Sequence, residues 1–389
     1  MATVVEYWES KASTVPAARL PYKRSRPRST AALHNARQEK HREQSKASRD
    51  ERVVTPSVEG SAMGDITDAA TAGNDTAPAL GAIFMQIAVN PDGTITRPEV
   101  PLLPPSSSTT VVVSRDVPLD ASLGTYLRLY LPNPVPVNTK LPVVLFFHGG
   151  GFVLFSPATA FYHAHCEAMA AAVPCLVASL NYRLAPERRL PAAYEDAASA
   201  IAWLLGSVDP WVAAHGALSR CYVTGSSSGG NIAFFAGLRL CANSPSSSTA
   251  GAAVRGLVLH QPYLGGVERM PSEAASEEDV MLPLEANDKL WSLALPEGAD
   301  RDHEFCNPAR AMVSAALAGL PRCLVTGNRG DPLIDRQREF VRWLVEQGGV
   351  EVVARMEHEG AHASELFVPE RAHELFTAMR EFMAAADGA

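Results

Sequence analysis

Short apolar runs alternate with longer amphipathic segments along most of the chain after residue 80. The apolar runs have the length of β-strands and lie at 142–147, 174–180, 221–224, 255–260, 322–326 and 350–356. Segments with a helical period lie between them, at 160–172, 194–205, 232–241 and 336–346. The run 142–147 is apolar at consecutive positions, which is typical of a strand buried on both faces of a parallel sheet. The alternation predicts an α/β fold with a doubly wound, mostly parallel sheet and helices on both faces.

Two further strands, at 111–116 and 125–131, precede this alternation, and the second has a clear period of two. Upstream, the run 83–89, the turn Asn90-Pro91-Asp92-Gly93 and the run 94–98 predict a β-hairpin. Residues 264–307 interrupt the alternation of strand-like and helical segments. They contain no strand pattern, and only 284–295 has a helical period. An insertion of this length is often a lid over a site, and the alternative is an ordinary surface excursion.

The first 78 residues differ in character from the rest. They include the basic cluster Lys23-Arg24-Ser25-Arg26-Pro27-Arg28 and an almost wholly polar stretch at 38–52. Because such a segment buries too little apolar surface to offset its ordering entropy, we expect a disordered extension over 1–78 and a folded domain over 79–389. The basic cluster leaves a nuclear-localisation patch or an organelle transit peptide as alternatives, although Glu6 and Glu9 argue against a transit peptide.

The composition of the chain limits the classes of function and the cellular location that can be expected. The net charge is −8, and 47% of the residues are apolar, so a sizeable core is possible. Residues 1–55 are basic, the remainder is acidic, and an acidic body argues against a nucleic-acid substrate. The six cysteines are scattered without metal-binding or disulfide spacing. The N-terminal residues lack the apolar region typical of a secretory signal, and no apolar run has the length needed to span a bilayer. These features predict a cytoplasmic protein, with the nucleus as an alternative location, and no membrane span.

The segment 221–238 is the focus of the candidate chemistry. A β-prone run meets the pattern G-x-S-x-G, formed by Gly225, Ser227 and Gly229, and a helical pattern follows. A sharp strand-to-helix turn of this kind presents a serine hydroxyl at the edge of the sheet, and glycines two residues to either side avoid side-chain clashes. Ser227 is therefore the predicted nucleophile.

A glycine-rich loop leaves the buried strand at 142–147. It reads His148-Gly149-Gly150-Gly151, and glycines there let backbone N–H groups converge on one point. An oxyanion hole formed by Gly149, Gly150 and Ser228 is expected, supported by His148 and Gly151. The alternative is a merely flexible glycine loop.

The acid and the base of a catalytic triad should follow the last two strands of the sheet. After the first of them the chain offers Asp331 and Asp335; Asp331 lies in the loop and is preferred, whereas Asp335 is interpreted as a helix N-terminal residue. After the second it offers His358 and His362; His362 lies deeper in the loop and is preferred, because His358 is flanked by two glutamates. The order Ser227, Asp331, His362 is that of α/β-hydrolases.

These motifs resemble the hormone-sensitive-lipase branch of the α/β-hydrolases, and within it the plant carboxylesterases of the gibberellin-receptor-like group. The resemblance covers roughly residues 80–385 and is carried by the stretches 148–152, 181–187, 225–231 and 331–335, with support from 89–97, 290–296 and 300–303. It implies a cap built from about 79–108 and 264–307 over a pocket for esters of modest size. The implied activity is that of a carboxylesterase acting on small to medium esters through an acyl-enzyme, without metal or organic cofactor. The expected partner is a small-molecule ester substrate, and the sequence does not indicate whether there is a protein partner.

The chain departs from the family pattern at two positions. The family often has Asp directly before the nucleophile, where this chain has Ser226, and Ala363 follows the base where Gly is frequent. Two other functions remain open on this scaffold: a hormone-binding receptor and a dehydratase. The receptor relatives lack the catalytic histidine and the dehydratase replaces the nucleophile by Thr, so His362 and Ser227 favour hydrolysis.

Overall fold

The computed structural model describes residues 80–107, 110–135, 139–242, 254–312, 317 and 319–387. The predicted disordered extension 1–78 lies outside the described residues. Ten strands lie within the described parts of the chain, two of them in a short separate hairpin. They are β1 (Ala88–Val89), β2 (Ile95–Thr96), β3 (Val112–Asp120), β4 (Thr125–Pro132), β5 (Leu141–Phe147), β6 (Leu176–Asn181), β7 (Gly216–Ser226), β8 (Val254–His260), β9 (Cys323–Asn328) and β10 (Val352–His358).

The main sheet has eight strands in the order β10-β9-β8-β7-β5-β6-β4-β3. Only β4 runs antiparallel to its neighbours, so the sheet is mostly parallel, as predicted. β5 and β7 lie at its centre, and every residue from Val143 to Phe147 is buried. Since the carboxyl ends of parallel strands meet at one edge, the loops after β5, β7, β9 and β10 emerge together there.

The helices complete the layers. They are α1 (Leu80–Met85), α2 (Ala160–Ala172), α3 (Ala192–Leu205), α4 (Pro210–His215), α5 (Ser228–Ala242), α6 (Pro271–Ala274), α7 (Leu284–Ala294), α8 (Pro308–Ala311), α9 (Ile334–Glu346) and α10 (Pro369–Asp387), with a 3₁₀ turn at Ser364–Leu366.

Consecutive residues of β8 show that helices cover both faces of the sheet. Gly256 lies against Phe382 of α10, whereas Leu257 packs against Gly237 of α5. Because neighbouring strand residues point to opposite faces, α10 and α5 cover opposite sides. Gly256 and Gly237 have no side chain at these contacts, and both helices can therefore approach the sheet closely.

The prediction of a strand over 83–89 is wrong. Leu80–Met85 forms helix α1, and only Ala88–Val89 is extended, paired with Ile95–Thr96. The predicted turn is present: the Asp92 carboxylate accepts from the Thr94 N–H and Gly93 has φ +83°. A short apolar run fits a helix as well as a strand, and packing decides between them. Here Leu80, Ile83 and Phe84 are all buried, a spacing of three and four that suits a helix.

The insertion 264–307 contains α6 and α7 and contacts α1. The Gly81 N–H donates to the Val280 carbonyl at 2.9 Å, and the Lys289 ammonium donates to the Ile87 carbonyl at 3.5 Å. Trp291 of α7 is fully buried and stacks on Tyr263 with ring centroids 4.5 Å apart. The two segments of the predicted cap are thus bonded to each other, and their role as a cap stays a prediction.

Candidate active site

Ser227 occupies the sharp turn between β7 and α5. Its φ is +57°, a left-handed conformation that is unfavourable for a residue with a side chain. The turn is held by backbone bonds: the Ser227 N–H donates to the His260 carbonyl, and the Tyr263 N–H donates to the Ser227 carbonyl at 2.9 Å. The turn is tight enough that a Cβ on Gly229 would overlap the Phe147 carbonyl group, and one on Gly225 would overlap Gly229. The two glycines are therefore required by close backbone contact.

The structure brings Ser227, His362 and Asp331 together from three loops. The His362 Nε2 lies 2.9 Å from the Ser227 Oγ, and its Nδ1 lies 3.0 Å from both oxygens of Asp331. A carboxylate can only accept, so Nδ1 carries the proton and Nε2 is left to accept from the serine hydroxyl. All three side chains are buried, with 7%, 4% and 1% of their surface exposed, respectively. The arrangement can remove a proton from Ser227 and stabilise the imidazolium that results.

Asp331 is oriented by two further donors. The Leu333 N–H and the Gln337 side-chain amide each donate to it at 2.9 Å, one to each oxygen. Leu333 directly precedes α9, and Gln337 is the fourth residue of that helix. Both carboxylate oxygens therefore face His362 in a fixed plane.

Two side chains at the ends of β8 and β9 hold the loop that carries His362: Gln261, directly after β8, and Asn328, the last residue of β9. The Gln261 side chain accepts from the Ala363 N–H at 2.7 Å and donates to the Ala361 carbonyl at 3.2 Å. The Asn328 amide donates to the same carbonyl and to the Ser364 hydroxyl, each at 3.1 Å. Ala363 has φ +57°. Without Gly at this position the loop is strained as well as clamped.

Protonation of His362 reflects its carboxylate neighbours. Burial alone would lower the pKa of His362, but the charge and hydrogen bond of Asp331, together with the charges of Glu365 and Asp279, raise it. The imidazolium form is thereby stabilised in a site from which water is largely excluded.

The glycine-rich loop after β5 lies beside Ser227. The Gly149 N–H donates to the Tyr162 hydroxyl at 2.9 Å. Within the described residues, the N–H groups of Gly150 and Ser228 have no hydrogen-bond acceptor. Gly150 has φ +109°, and a Cβ there would contact the Phe155 ring at 2.6 Å. Two of the three predicted oxyanion donors are thus unpaired, and the third is bonded to Tyr162.

His148 and Gly151 shape the same loop. The His148 Nδ1 donates to the Gly149 carbonyl at 2.8 Å, and the ring stacks on Tyr182, whose hydroxyl donates to the His148 carbonyl at 2.9 Å. Complete burial lowers the pKa of His148 to about 4, which keeps the ring neutral. At Gly151, φ is +62°, and a Cβ would meet Leu290 of α7 at 2.6 Å. Both residues therefore fix the backbone of the loop.

The alternative acid and base lie elsewhere. Asp335 is in the first turn of α9, where its carboxylate accepts from the Ser272 N–H at 3.0 Å and is ion-paired with Arg338. His358 ends β10, is ion-paired with Glu374 at 3.5 Å and has 39% of its side chain exposed. Neither residue bonds to Ser227, His362 or Asp331 in the described structure.

Sequence reasoning did not identify several residues that support the site: Tyr162, Gln261, Asn328, Gln337 and Glu365. Only weak signals mark them in the sequence. Gln261 follows a predicted strand at the position where polar side chains reach the site, and Glu365 follows His362 by three residues. The others become evident only through the packing of α2, β9 and α9 against the loops.

Apolar side chains surround the glycine-rich loop. Phe152, Leu154, Phe155 and Leu290 are all buried, and Phe152 lies 5.6 Å from Trp291 between ring centroids. Among the described residues, no helix is long and apolar enough to cross a membrane. In the same parts of the chain, no three His, Cys, Asp or Glu side chains are placed to hold a metal ion. The expectation of a cofactor-free site stays a prediction.

Comparisons with known proteins identify the family. Residues 144–366 match the family model for the alpha/beta hydrolase fold. The chain is 40% identical to probable carboxylesterase 8 of Arabidopsis thaliana, over 77% of this chain and 92% of that protein. It is also 40% identical to the 3-O-acetylpapaveroxine carboxylesterase CXE2 of Papaver somniferum, over 69% and 90% of the two chains.

Solved structures agree with this result. A hyperthermophilic esterase from Pyrobaculum calidifontis superimposes with a TM-score of 0.60 at 26% identity, covering 72% of this chain and 84% of that one. The esterase LipW from Mycobacterium marinum gives a TM-score of 0.58 at 27% identity, covering 72% and 83%. The chain belongs to the α/β-hydrolase fold family. Within that family it is a carboxylic-ester hydrolase of the plant carboxylesterase type, which confirms the predicted fold and class of enzyme.

Proposed function

We propose that this hydrolase cleaves small to medium carboxylic esters through Ser227, His362 and Asp331, with an acyl-enzyme intermediate. The observation that carries the proposal is the 2.9 Å separation of the His362 Nε2 and the Ser227 Oγ, in a histidine whose Nδ1 is bonded to Asp331. A histidine with Nδ1 protonated has its basic nitrogen directed at the serine hydroxyl, as nucleophilic attack requires.

In the first step the Ser227 Oγ attacks the ester carbonyl while His362 takes its proton. The carbonyl oxygen becomes an oxyanion, and the imidazolium is stabilised by Asp331. His362 then returns its proton to the leaving alcohol as the bond between the carbonyl carbon and that oxygen breaks. Water attacks the acyl-enzyme in the same way, His362 again serving as base and then as acid, and the carboxylic acid and free Ser227 are the products.

The oxyanion is bound by the N–H groups of Gly150 and Ser228, which are unpaired within the described residues. The Gly149 N–H becomes a third donor once it releases the Tyr162 hydroxyl. Each donor directed at such an oxyanion contributes about 3 kcal/mol to lowering the barrier.

The apolar surroundings support an acyl group or alcohol of modest size and little charge. Phe152, Leu154, Phe155 and Leu290 border the glycine-rich loop, and all four are apolar and buried. An ester with an ionised group next to the carbonyl would leave that charge without a partner in a buried site.

Substitution of the nucleophile tests the proposal. We expect Ser227→Ala to lower kcat for p-nitrophenyl acetate or butyrate by at least about 10⁴-fold with the fold intact, since triad residues act as a unit. Intact-mass spectrometry after a short incubation should detect the acyl adduct on the wild type and none on the variant. Unchanged turnover in Ser227→Ala would refute the assignment. Tight binding of an ester without turnover by the wild type would favour the receptor alternative, and product analysis would detect a dehydratase.

The pH dependence gives a second test. His362 acts as a base only when neutral, and its neighbours raise the pKa of His362 above the ordinary value of about 6.5. We therefore expect kcat/KM for ester hydrolysis to fall as the pH decreases, and the midpoint of this fall should lie above about pH 6.5. A midpoint well below that value would contradict the proposed pairing with Asp331.

A further inference from the structure

A second carboxylate lies behind the proposed triad. Glu365 is three residues after His362, in the 3₁₀ turn Ser364–Leu366, and only 3% of its surface is exposed. Its Oε1 accepts from the Ser226 hydroxyl at 2.7 Å, and its Oε2 lies 3.0 Å from the His260 Nε2. The His260 Nδ1 in turn lies 2.6 Å from the Thr326 hydroxyl. A buried carboxylate of this kind is costly unless it is paired. Here Oε1 is hydrogen-bonded to Ser226, whereas Oε2 is within ion-pair distance of the His260 ring but makes no hydrogen bond within the described residues.

The partner of Glu365 is the residue directly before the nucleophile. It is Ser226, whose hydroxyl donates to the Glu365 carboxylate. We propose that Glu365 is a positioning residue for the hydrolytic reaction, which holds the nucleophile turn from the histidine loop through Ser226 and acts on His362 through its charge. This inference rests on the proposed function, because it concerns how Ser227 and His362 are held together.

The bond between Ser226 and Glu365 ties two loops that have no covalent link near the site. Ser226 ends β7 and is followed at once by Ser227, whereas Glu365 belongs to the loop that carries His362. The hydrogen bond from Ser227 to His362 spans the same two loops on the reacting side. With both in place, neither loop can move away from the other without breaking a buried polar pair.

Charge gives Glu365 a second effect. Although burial alone would raise the pKa of Glu365, the imidazoles of His260 and His165 and the hydrogen bond from Ser226 lower it to about 2. The carboxylate is therefore ionised at neutral pH, and its charge contributes to the raised pKa of His362. An imidazolium formed during reaction is stabilised by this charge in addition to that of Asp331.

Other ionisable groups also face Glu365 and must be considered in any pH experiment. They are His260 of β8, His165 and Tyr162 of α2, His362 of the same loop and, around a cavity of about 20 Å³, Arg371 and Glu374 of α10 with Arg355 and His358 of β10. Among these groups Glu365 is the carboxylate whose charge raises the pKa of His362, so its neutralisation should lower that pKa.

The experiment uses three variants: Glu365→Gln, Ser226→Ala, and a double variant that carries both Ser226→Asp and Glu365→Gln. Each is compared with the wild type. We expect Glu365→Gln to lower kcat by about 10- to 100-fold with KM within twofold, since a small displacement of reacting groups has effects of this size. The acid limb of its kcat/KM profile should move to lower pH. Ser226→Ala, which keeps the charge, should lower kcat by less and leave the acid limb in place. The double variant should regain at least about fivefold over Glu365→Gln.

Glu374→Gln is the matched control, because Glu374 lines the same cavity but is ion-paired with Arg371 and has 33% of its side chain exposed. It should keep wild-type kcat and the wild-type acid limb. Folded fraction and Tm by circular dichroism accompany every assay, and Ser226→Ala remains informative should Glu365→Gln be poorly folded.

Three outcomes overturn the inference. The first is wild-type kcat and acid limb in Glu365→Gln, and the second is a loss of activity that only follows the folded fraction. The third is a double variant no better than Glu365→Gln, which would show that a carboxylate between residues 226 and 365 is not what positions the two loops. All three presuppose an active wild type and an inactive Ser227→Ala; if that pair fails, the proposed function is wrong, and the two failures are thus distinguishable.

Discussion

The turn that carries Ser227 and the loop that carries His362 reach similar rigidity by different means. The turn is held by the backbone, through bonds from the Ser227 and Tyr263 N–H groups and the close contact of Gly229 with Phe147. The loop is held by side-chain contacts with other elements, among them those of Gln261 with the loop backbone and of the loop's own Glu365 with Ser226. The turn held by the backbone is marked in the sequence by a local glycine pattern. The residues whose side chains hold the loop are dispersed over more than a hundred positions and form no local pattern.

Gly229→Ala changes the turn that the backbone holds and should have the largest effect, a loss in the free energy of unfolding. A Cβ at residue 229 would overlap the Phe147 carbonyl group, and the central strands of the sheet cannot shift to make room. We expect a loss of at least about 4 kcal/mol in the free energy of unfolding, or no folded protein, measured by urea denaturation. Gly206→Ala is the control, since a Cβ there meets only the Ala202 carbonyl at 3.4 Å. A change within about 0.5 kcal/mol is expected for it. Normal folding of Gly229→Ala would mean that the turn is not held as described.

Gln261→Leu should have an intermediate effect, on the side-chain-held loop. It removes the acceptor of the buried Ala363 N–H and the donor to the Ala361 carbonyl. Stability should fall by about 1–3 kcal/mol, and kcat by about 10- to 100-fold through displacement of His362. Calorimetry and ester kinetics measure the two quantities. Gln86→Leu makes the same chemical change at an exposed position and should alter neither. Wild-type kcat in Gln261→Leu would show that the loop is positioned without this clamp.

His358→Gln should have the smallest effect and tests the choice of base on the same loop. His358 makes only a partly exposed ion pair with Glu374, and such pairs contribute about 0–1 kcal/mol. We expect kcat within twofold of the wild type, whereas His362→Gln should lose about 10⁴-fold or more in the same assay. The reverse result would exchange the roles of the two histidines.

Most of the sheet could be predicted from the sequence because buried parallel strands are short, apolar and bounded by turns. The predicted strand at 142–147 is observed at Leu141–Phe147, and that at 255–260 is observed at Val254–His260. β7 begins at Gly216 rather than residue 221, because the more polar segment before Cys221 pairs with the start of β5. The run at 83–89 was predicted as a strand because its apolar residues fit both periods. Its burial against other elements decides for a helix, and that information is not local.

The residues of the candidate site also fall into two groups: those that sequence motifs identify and those that only the packing reveals. Ser227, Asp331 and His362 could be selected from motif order and from their positions after successive strands, and the structure brings them within hydrogen-bond distance. Tyr162 could not be foreseen, because it lies on a helix face and reaches Gly149 only through the packing of α2 under the glycine-rich loop. Glu365 follows His362 closely, but nothing in the sequence indicates that its partner is Ser226 rather than solvent.

The bond from the Gly149 N–H to the Tyr162 hydroxyl has a consequence for ligand discrimination. On the proposed mechanism, an incoming carbonyl oxygen must displace a phenol oxygen that the fold already holds against this amide. A fully charged oxygen is a much stronger acceptor and displaces the phenol. The amide therefore changes partner mainly when the reacting carbon becomes tetrahedral, so that it favours the activated complex over the bound ester. A boronic acid that mimics this geometry should accordingly bind far more tightly than a neutral ketone of the same shape.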